Sequence, residues 1–455
     1  MAKISDWSSN ELENVALDEY SLSEPGKRPF AKIMAAVKDG FNGIAEEVEA
    51  VIQEVPAPDT DRSTAVAPTY WIVDKLRQAV EMASGGSETV LYDKWGNPHV
   101  MVILPKFDVG DIDASLGSGT HPAFQYEDGN NALKTVPEIF IGKYLASNDG
   151  NGHPVTLPRR APWIGHSSIG LGPHKICREM NDNYGGSEVA GWLGGSDKAV
   201  GLRWSMCTLP TYAARLLMQY KLLGEDGAAA LGGNSDRGKD YSKPWQSGTL
   251  VENGYNTTYT GSGPAAWYDD GIGKGLCDLI GNVQEAVYDA LIVKGQLRIT
   301  PYNNAVKRGV VDDYTGPRRY LNEDGTLGTF TSGNYNNIVS GGLCYDGDGS
   351  DGLRINTSVP NKTSTSGSFK INFADLEAAS GVSIPDIMRV LCLAPVSGWS
   401  QPGKVELNNA DTGNYKRCLV LGGGCLSEDV AGLNCLSSVN FQSPPNLTGF
   451  RVMYM

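Results

Sequence analysis

Long apolar runs are missing from this chain of 455 residues. No stretch reaches the roughly 18 apolar residues that a membrane-spanning helix needs, and the N-terminus lacks the basic-then-apolar order of a signal peptide. Positive charge is also scarce. With 38 Lys and Arg against 52 Asp and Glu, the formal net charge is −14, so no basic stripe exists to displace counterions from a phosphate backbone, and nucleic acid is excluded as a partner. Metal and redox motifs are absent as well. The eight cysteines, at 177, 207, 277, 344, 392, 418, 425 and 435, form no C-x-x-C pair and no zinc spacing, and read as scattered reduced thiols. Histidine is limited to positions 99, 121, 153, 166 and 174. His166 and His174 bracket Ser167-Ser168, but a nucleophile and its base need a third orienting group and a shaped pocket. No phosphate loop, H-E-x-x-H or G-x-S-x-G motif is present. These absences point to a protein folded in a cytosol, without membrane insertion, cofactor, metal site or catalytic residues.

What is present is glycine, 56 residues of it, which implies many turns and long loops rather than a helical body. Residues 1–27 are acidic and polar, and Pro25-Gly26 ends them. Phe30, Met34, Val37, Phe41, Ile44, Val48, Val51 and Val55 then recur at alternating steps of four and three, an a/d heptad seam. Pro56 stops that helix. β-Branched residues at both kinds of seam position favour trimers or tetramers, so the expectation is a homotrimer joined along a coiled-coil helix at 28–56. Residues 57–87 read as a linker and a short helix at 68–82, with Val73, Leu76, Val80 and Ala83 along one stripe. A hairpin follows: Val90-Leu91-Tyr92, a Gly96-Asn97 turn signal, then 100–104. It is expected to open a single domain running from 88 to 455.

Within that domain the pattern predicts a strand at 139–144 and a helix at 212–223 that Gly224 ends. Residues 232–273 and 312–370 read as Gly/Asn/Ser-rich loops, and 375–393 as one helix or two broken at Pro385. The run from Asp346 to Asp351 alternates oxygen side chains like the first half of a calcium loop. Its glycine falls one position late, however, and Thr357 stands where a bidentate Glu belongs, so it reads as a solvated turn. Asp278, Asn282 and Glu285 are spaced to bind an ion or to brace loops, and the bracing role is preferred.

The last forty residues draw the chain together. Lys416 to Leu421 is a short apolar run, Gly422-Gly423-Gly424 breaks it, and 450–454 is another apolar strand. The two ends are expected to be paired core strands. Between them, 425–448 shows no sustained period and reads as irregular display surface. This end resembles that of the C-type-lectin-like fold found in formylglycine-generating enzymes and in the variable proteins of diversity-generating retroelements. Three further stretches agree in order: 137–144 is similar to the family's first core strand, Thr208-Leu209-Pro210-Thr211 to its helix start, and Gly275-Leu276-Cys277-Asp278-Leu279-Ile280-Gly281-Asn282-Val283 to its Gly-Asn-Val signature. The fold class this implies is α+β, a coiled-coil helix followed by a large lectin-like domain with long loops.

Two kinds of activity go with the resemblance. One is a copper-dependent oxidase holding Cu(I) on a thiolate pair. The family's cysteines lie five positions apart, whereas Cys418, Cys425 and Cys435 are spaced by seven and ten, and Gln284 and Ala286 replace the signature's tryptophans. The other is ligand recognition through a diversified segment, 416–451, as at the tip of a phage tail fibre. That reading implies a bacterial surface receptor, protein or glycan, and contacts to other tail proteins through the N-terminus. It places the protein in the virion, assembled in the host cytoplasm. The ligand-binding positions would be Gly424, Cys425, Leu426, Ser427, Asp429, Asn434, Leu436, Ser438, Asn440 and Phe441. Most residue types there can arise from randomised adenines in an Asn codon; Glu428 and Gln442 cannot, and would be fixed.

Overall fold

A computed structural model describes residues 67–128, 132–181, 204–235, 242–306, 319–330, 338–348, 352–359, 369–407, 416–427, 430–441 and 443–455. The expected coiled coil, the N-terminal segment and Asp429 lie outside the described residues. The chain divides into two compact units, Met1–Ala79 and Val80–Met455. Of the first, residues 67–79 are described, and they are helical, part of Ala67–Ser84. The second is mixed α and β, mostly sheet with few helices. No described helix is long and apolar enough to cross a membrane.

The predicted hairpin forms. Glu88–Tyr92 pairs antiparallel with Pro98–Pro105, and the Asp93 carboxylate fixes the turn by accepting the backbone N–H of Trp95 and of Asn97, both at 2.9 Å. Pro98–Pro105 is an apolar, β-branched run whose centre is buried, as a strand covered on both faces requires. It continues into Glu138–Gly142, then the C-terminal strand Val452–Tyr454, then Trp204–Met206, to give a five-stranded antiparallel sheet.

The chain leaves that sheet through helix Leu209–Ala229. Thr208 caps it by accepting the Thr211 N–H, Pro210 sits in its first turn, and Gly224 kinks it at φ 68°. Each feature follows from local chemistry: a hydroxyl to satisfy a free N–H, a proline where no donor is needed, a glycine where φ is positive. The helix's Leu209, Tyr212, Ala213, Leu216 and Leu217 belong to one apolar cluster with Leu104, Ile139, Ile292, Leu419, Leu436 and Met453, so side chains from both main sheets share one core.

The second sheet has eleven strands among the described residues, with the long strand Gln284–Val293 between Gln296–Ile299 and Lys416–Leu421. Two expectations are corrected in it. The stretch 312–370 contributes strands Arg319–Leu321, Leu327–Gly328, Cys344–Gly347, Leu353–Asn356 and the start of Phe369–Asn372. These are strands of two to four residues, most of them joined in close hairpins, too short for a local period to announce them. The stretch 375–393 carries only a 3-10 turn ending at Asp375 and helix Asp386–Val390, which starts after Pro385. The acidic run is partly a hairpin: Asp346 is buried and accepts from Arg354 and Asn356.

Candidate functional site

The two ends of the C-terminal segment are both strands, but they do not pair with each other. Lys416–Leu421 lies in the large sheet between Gln284–Val293 and Leu436–Asn440, whereas Val452–Tyr454 lies in the small sheet between Glu138–Gly142 and Trp204–Met206. The segment therefore bridges the sheets. Arg451 fixes the crossing point. Fully buried, it makes a two-pronged ion pair with Glu285, at 2.9 and 2.6 Å, and donates to the carbonyls of Gly142, Lys143 and Cys277, each at 2.8 Å. Burial opposes its charge, but the Glu285 carboxylate wins and holds the guanidinium's pKa above its usual value.

A knot of loops sits at the other end. Gly422 has φ 78°, and an added Cβ there would run into the carbonyl oxygen of Leu279. Gly281 donates to the Gly422 carbonyl at 3.0 Å, and Cys425 donates to the Asn282 carbonyl at 3.0 Å. Asn282, at φ 61°, imitates a strand partner: its side-chain oxygen accepts the Thr258 N–H at 2.8 Å and its amide donates to the Thr258 carbonyl at 3.1 Å. Asp278, with burial raising its carboxyl above the usual range, accepts the Gly261 N–H. So Asp278, Asn282 and Glu285 brace loops. Among the described residues no three His, Cys, Asp or Glu side chains are grouped to hold a metal ion.

On this frame the expected display segment is largely interior. Leu436–Asn440 is a strand, paired antiparallel with Lys416–Leu421 and parallel with Lys404–Leu407. One side of the segment's end is covered by the 163–177 region: Ile169 donates to the Phe441 carbonyl, and the ring of Tyr288 contacts both Phe441 and a stacked His174. Of the ten expected positions, Gly424, Cys425, Asn434, Leu436, Ser438 and Phe441 are buried, which corrects the expectation that they are displayed. Asn434 accepts a 2.5 Å hydrogen bond from Tyr220, and Ser438 accepts from Arg417. Leu426, Ser427 and Asn440 are half-exposed.

What the sequence reading missed is the rim around them. Ser443, Pro445 and Asn446 are exposed, and Tyr255, from a distant loop, is half-exposed. Asn446 donates to the Tyr255 hydroxyl at 2.9 Å, and its carbonyl accepts from Gly165. The Cys425 thiol lies 2.8 Å from the Tyr255 carbonyl. Loops at 163–166, 253–258, 282–284, 424–427 and 443–447 thus converge through named hydrogen bonds. Asn446 and Tyr255 carry no motif; only tertiary contact reveals them.

The cysteines are all free and buried. Burial pushes the thiols of Cys344, Cys392 and Cys435 up to about 12 and raises Cys177, Cys207 and Cys277 as well, away from the thiolate form that attacks or binds soft metals. His166 packs on Trp163 and Phe450, with burial lowering its pKa. A separate cleft of about 510 Å³ is lined by residues that include Glu127, Ile299, Tyr302, Arg319, Leu327 and Ile387, none from 416–451.

No family model matches the chain, and no curated protein matches it. Among solved structures it is similar to PvdO from Pseudomonas aeruginosa, with 14% identity over 80% of this chain and 97% of that one and a TM-score of 0.26. A likeness of that size carries no argument about what this chain does.

Proposed function

We propose that the chain is a ligand-recognition protein, the receptor-binding tip of a phage tail fibre, whose C-terminal surface attaches to a protein or glycan on a bacterial cell. On this reading residues 88–455 are a lectin-like domain of the formylglycine-generating-enzyme type. The supporting observation is the convergence of five loops around Leu426, Ser427 and Asn446, beside strands and an Arg451–Glu285 pair that lock the backbone. Rigid scaffold below and variable-tolerant loops above is the division of labour that recognition surfaces use. The buried members of the segment, Cys425, Asn434, Leu436, Ser438 and Phe441, act as scaffold.

The heptad seam at 30–55 joins three chains in this proposal, and 1–27 meets other tail proteins. Three patches on one particle raise a weak single-site affinity by a factor of about 10² or more through avidity. The test has two arms. Purified protein should compete with phage for adsorption to host cells, and the coding locus should carry an adenine-mutated copy of 416–451 beside a reverse transcriptase. A chain that neither binds cells nor slows adsorption overturns the receptor assignment; a locus without the copy overturns diversification.

A further inference from the structure

Residues 93–97 and 148–153 build a second surface that uses none of 416–451. Two tight turns, each wrapped around a carboxylate, present aromatic rings to one another. In the first, Asp93 holds the backbone of Trp95 and Asn97. In the second, Asp149 accepts the N–H of Asn151 at 2.7 Å and of His153 at 3.1 Å, and lies 3.1 Å from the His153 ring nitrogen Nδ1. Burial alone would raise the Asp149 carboxyl, yet these donors hold it down at about 2. The indole of Trp95 and the imidazole of His153 stack at 3.8 Å and 15°. Asn97 ties the turns together, its amide lying 3.4 Å from carboxylate oxygens of both Asp93 and Asp149.

The result is a flat aromatic pair, fixed before any ligand arrives. Trp95 is 37% exposed, among the few large apolar side chains left at the surface. The Lys94 ammonium lies 4.7 Å from its ring centre, on an exposed side chain. The carboxamides of Asn97 and Asn151 both donate to the Asp149 carboxylate that also meets the His153 ring. A pyranose has the matching surface: one face of axial C–H groups that stacks on an aromatic ring, and a rim of hydroxyls that both donate and accept. Planar amides and carboxylates meet such hydroxyls in pairs. Fixed rings and fixed amides also spare the ordering cost that makes small polar ligands bind poorly.

We propose that the Trp95–His153 platform is a carbohydrate-binding site that takes one pyranose unit of a surface glycan on the outer face of Trp95, with Lys94 swung aside.

Saturation-transfer difference NMR on the full chain tests this, with methyl β-glucopyranoside, methyl β-galactopyranoside and N-acetylglucosamine as probes. At least one probe should show transfer to its ring protons, with a dissociation constant of about 1–10 mM, typical of a single weak site. Trp95→Ala should weaken it about tenfold and Trp95→Tyr by less than about threefold, because the tyrosine restores a ring face. Lys94→Ala, at an exposed position, should tighten binding about threefold by removing the cation that the sugar displaces. The platform is refuted if no probe shows transfer at about 20 mM, if folded Trp95→Ala binds undiminished, or if Lys94→Ala abolishes binding. Should Trp95→Ala fail to fold, the Trp95→Tyr and Lys94→Ala pair decides alone.

Discussion

Replacing Arg451 with Met is the most demanding single test of the scaffold. Arg451 and Glu285 are both buried, so Met leaves a carboxylate in the interior with no counter-charge and strips donors from the carbonyls of Gly142, Lys143 and Cys277. Removing one partner of a buried pair costs about 3–5 kcal/mol, and a carbonyl left without its donor costs about 1 kcal/mol or more. With three carbonyls affected, the expected loss is about 6–8 kcal/mol, a large part of the stability of an ordinary domain. Glu285→Gln in the same background should recover part of it, because a neutral amide is far cheaper to bury than an unpaired charge. Urea unfolding followed by tryptophan fluorescence reads both. A loss under about 1 kcal/mol for Arg451→Met, or no recovery in the double variant, would refute the claim that this residue pins the two sheets together.

Three further outcomes follow from the same geometry. His121 is buried, its Nδ1 accepting the Ala123 N–H and its Nε2 lying 3.0 Å from the Val390 carbonyl, and burial lowers its pKa from 6.5 to about 4. The unfolded chain takes up this proton at higher pH than the folded one, so stability should fall between pH 6.5 and 4 by up to about 3 kcal/mol in all and level off below; in His121→Gln that share of the pH dependence should vanish. Asn282→Ala removes both bonds to the Thr258 backbone and puts a methyl at φ 61°, which should cost about 2–4 kcal/mol in the same unfolding assay. A thiol reagent should find almost none of the eight buried cysteines in native protein and all eight in denaturant; rapid native reaction at Cys435 would contradict its raised pKa.

The features legible in the sequence were those written in adjacent residues. Thr208, Pro210 and Gly224 spell a cap, a first turn and a break, and Gly96-Asn97 between apolar runs spells a hairpin; all four act where they stand. The α+β character was what the family resemblance implied, and the mix of sheets with few helices agrees with it. What escaped depended on distant partners. Leu436–Asn440, with two serines among five residues, has no alternation to read, because both of its faces are buried, Leu436 in one apolar cluster and Val439 in another. The display segment was thus taken as exposed from its polarity, although Asn434 and Ser438 are polar and interior, satisfied by Tyr220 and Arg417. The roles of Tyr255 and Asn446 were hidden for the same reason: the contact between them spans 191 positions.

The most direct test of the central claim compares two sets of substitutions in one pair of measurements, melting temperature and adsorption to host cells. The rim set changes Leu426, Ser427 and Asn446 to Ala together; the scaffold set changes Leu436 and Phe441 to Ser. Rim positions are half-exposed or exposed, so their melting temperature should stay near that of the unchanged protein while adsorption is lost. Scaffold positions are buried at 1% and 6% exposure, so melting should drop sharply. If the rim set adsorbs like the unchanged protein at an unchanged melting temperature, the C-terminal surface is not the receptor-binding site.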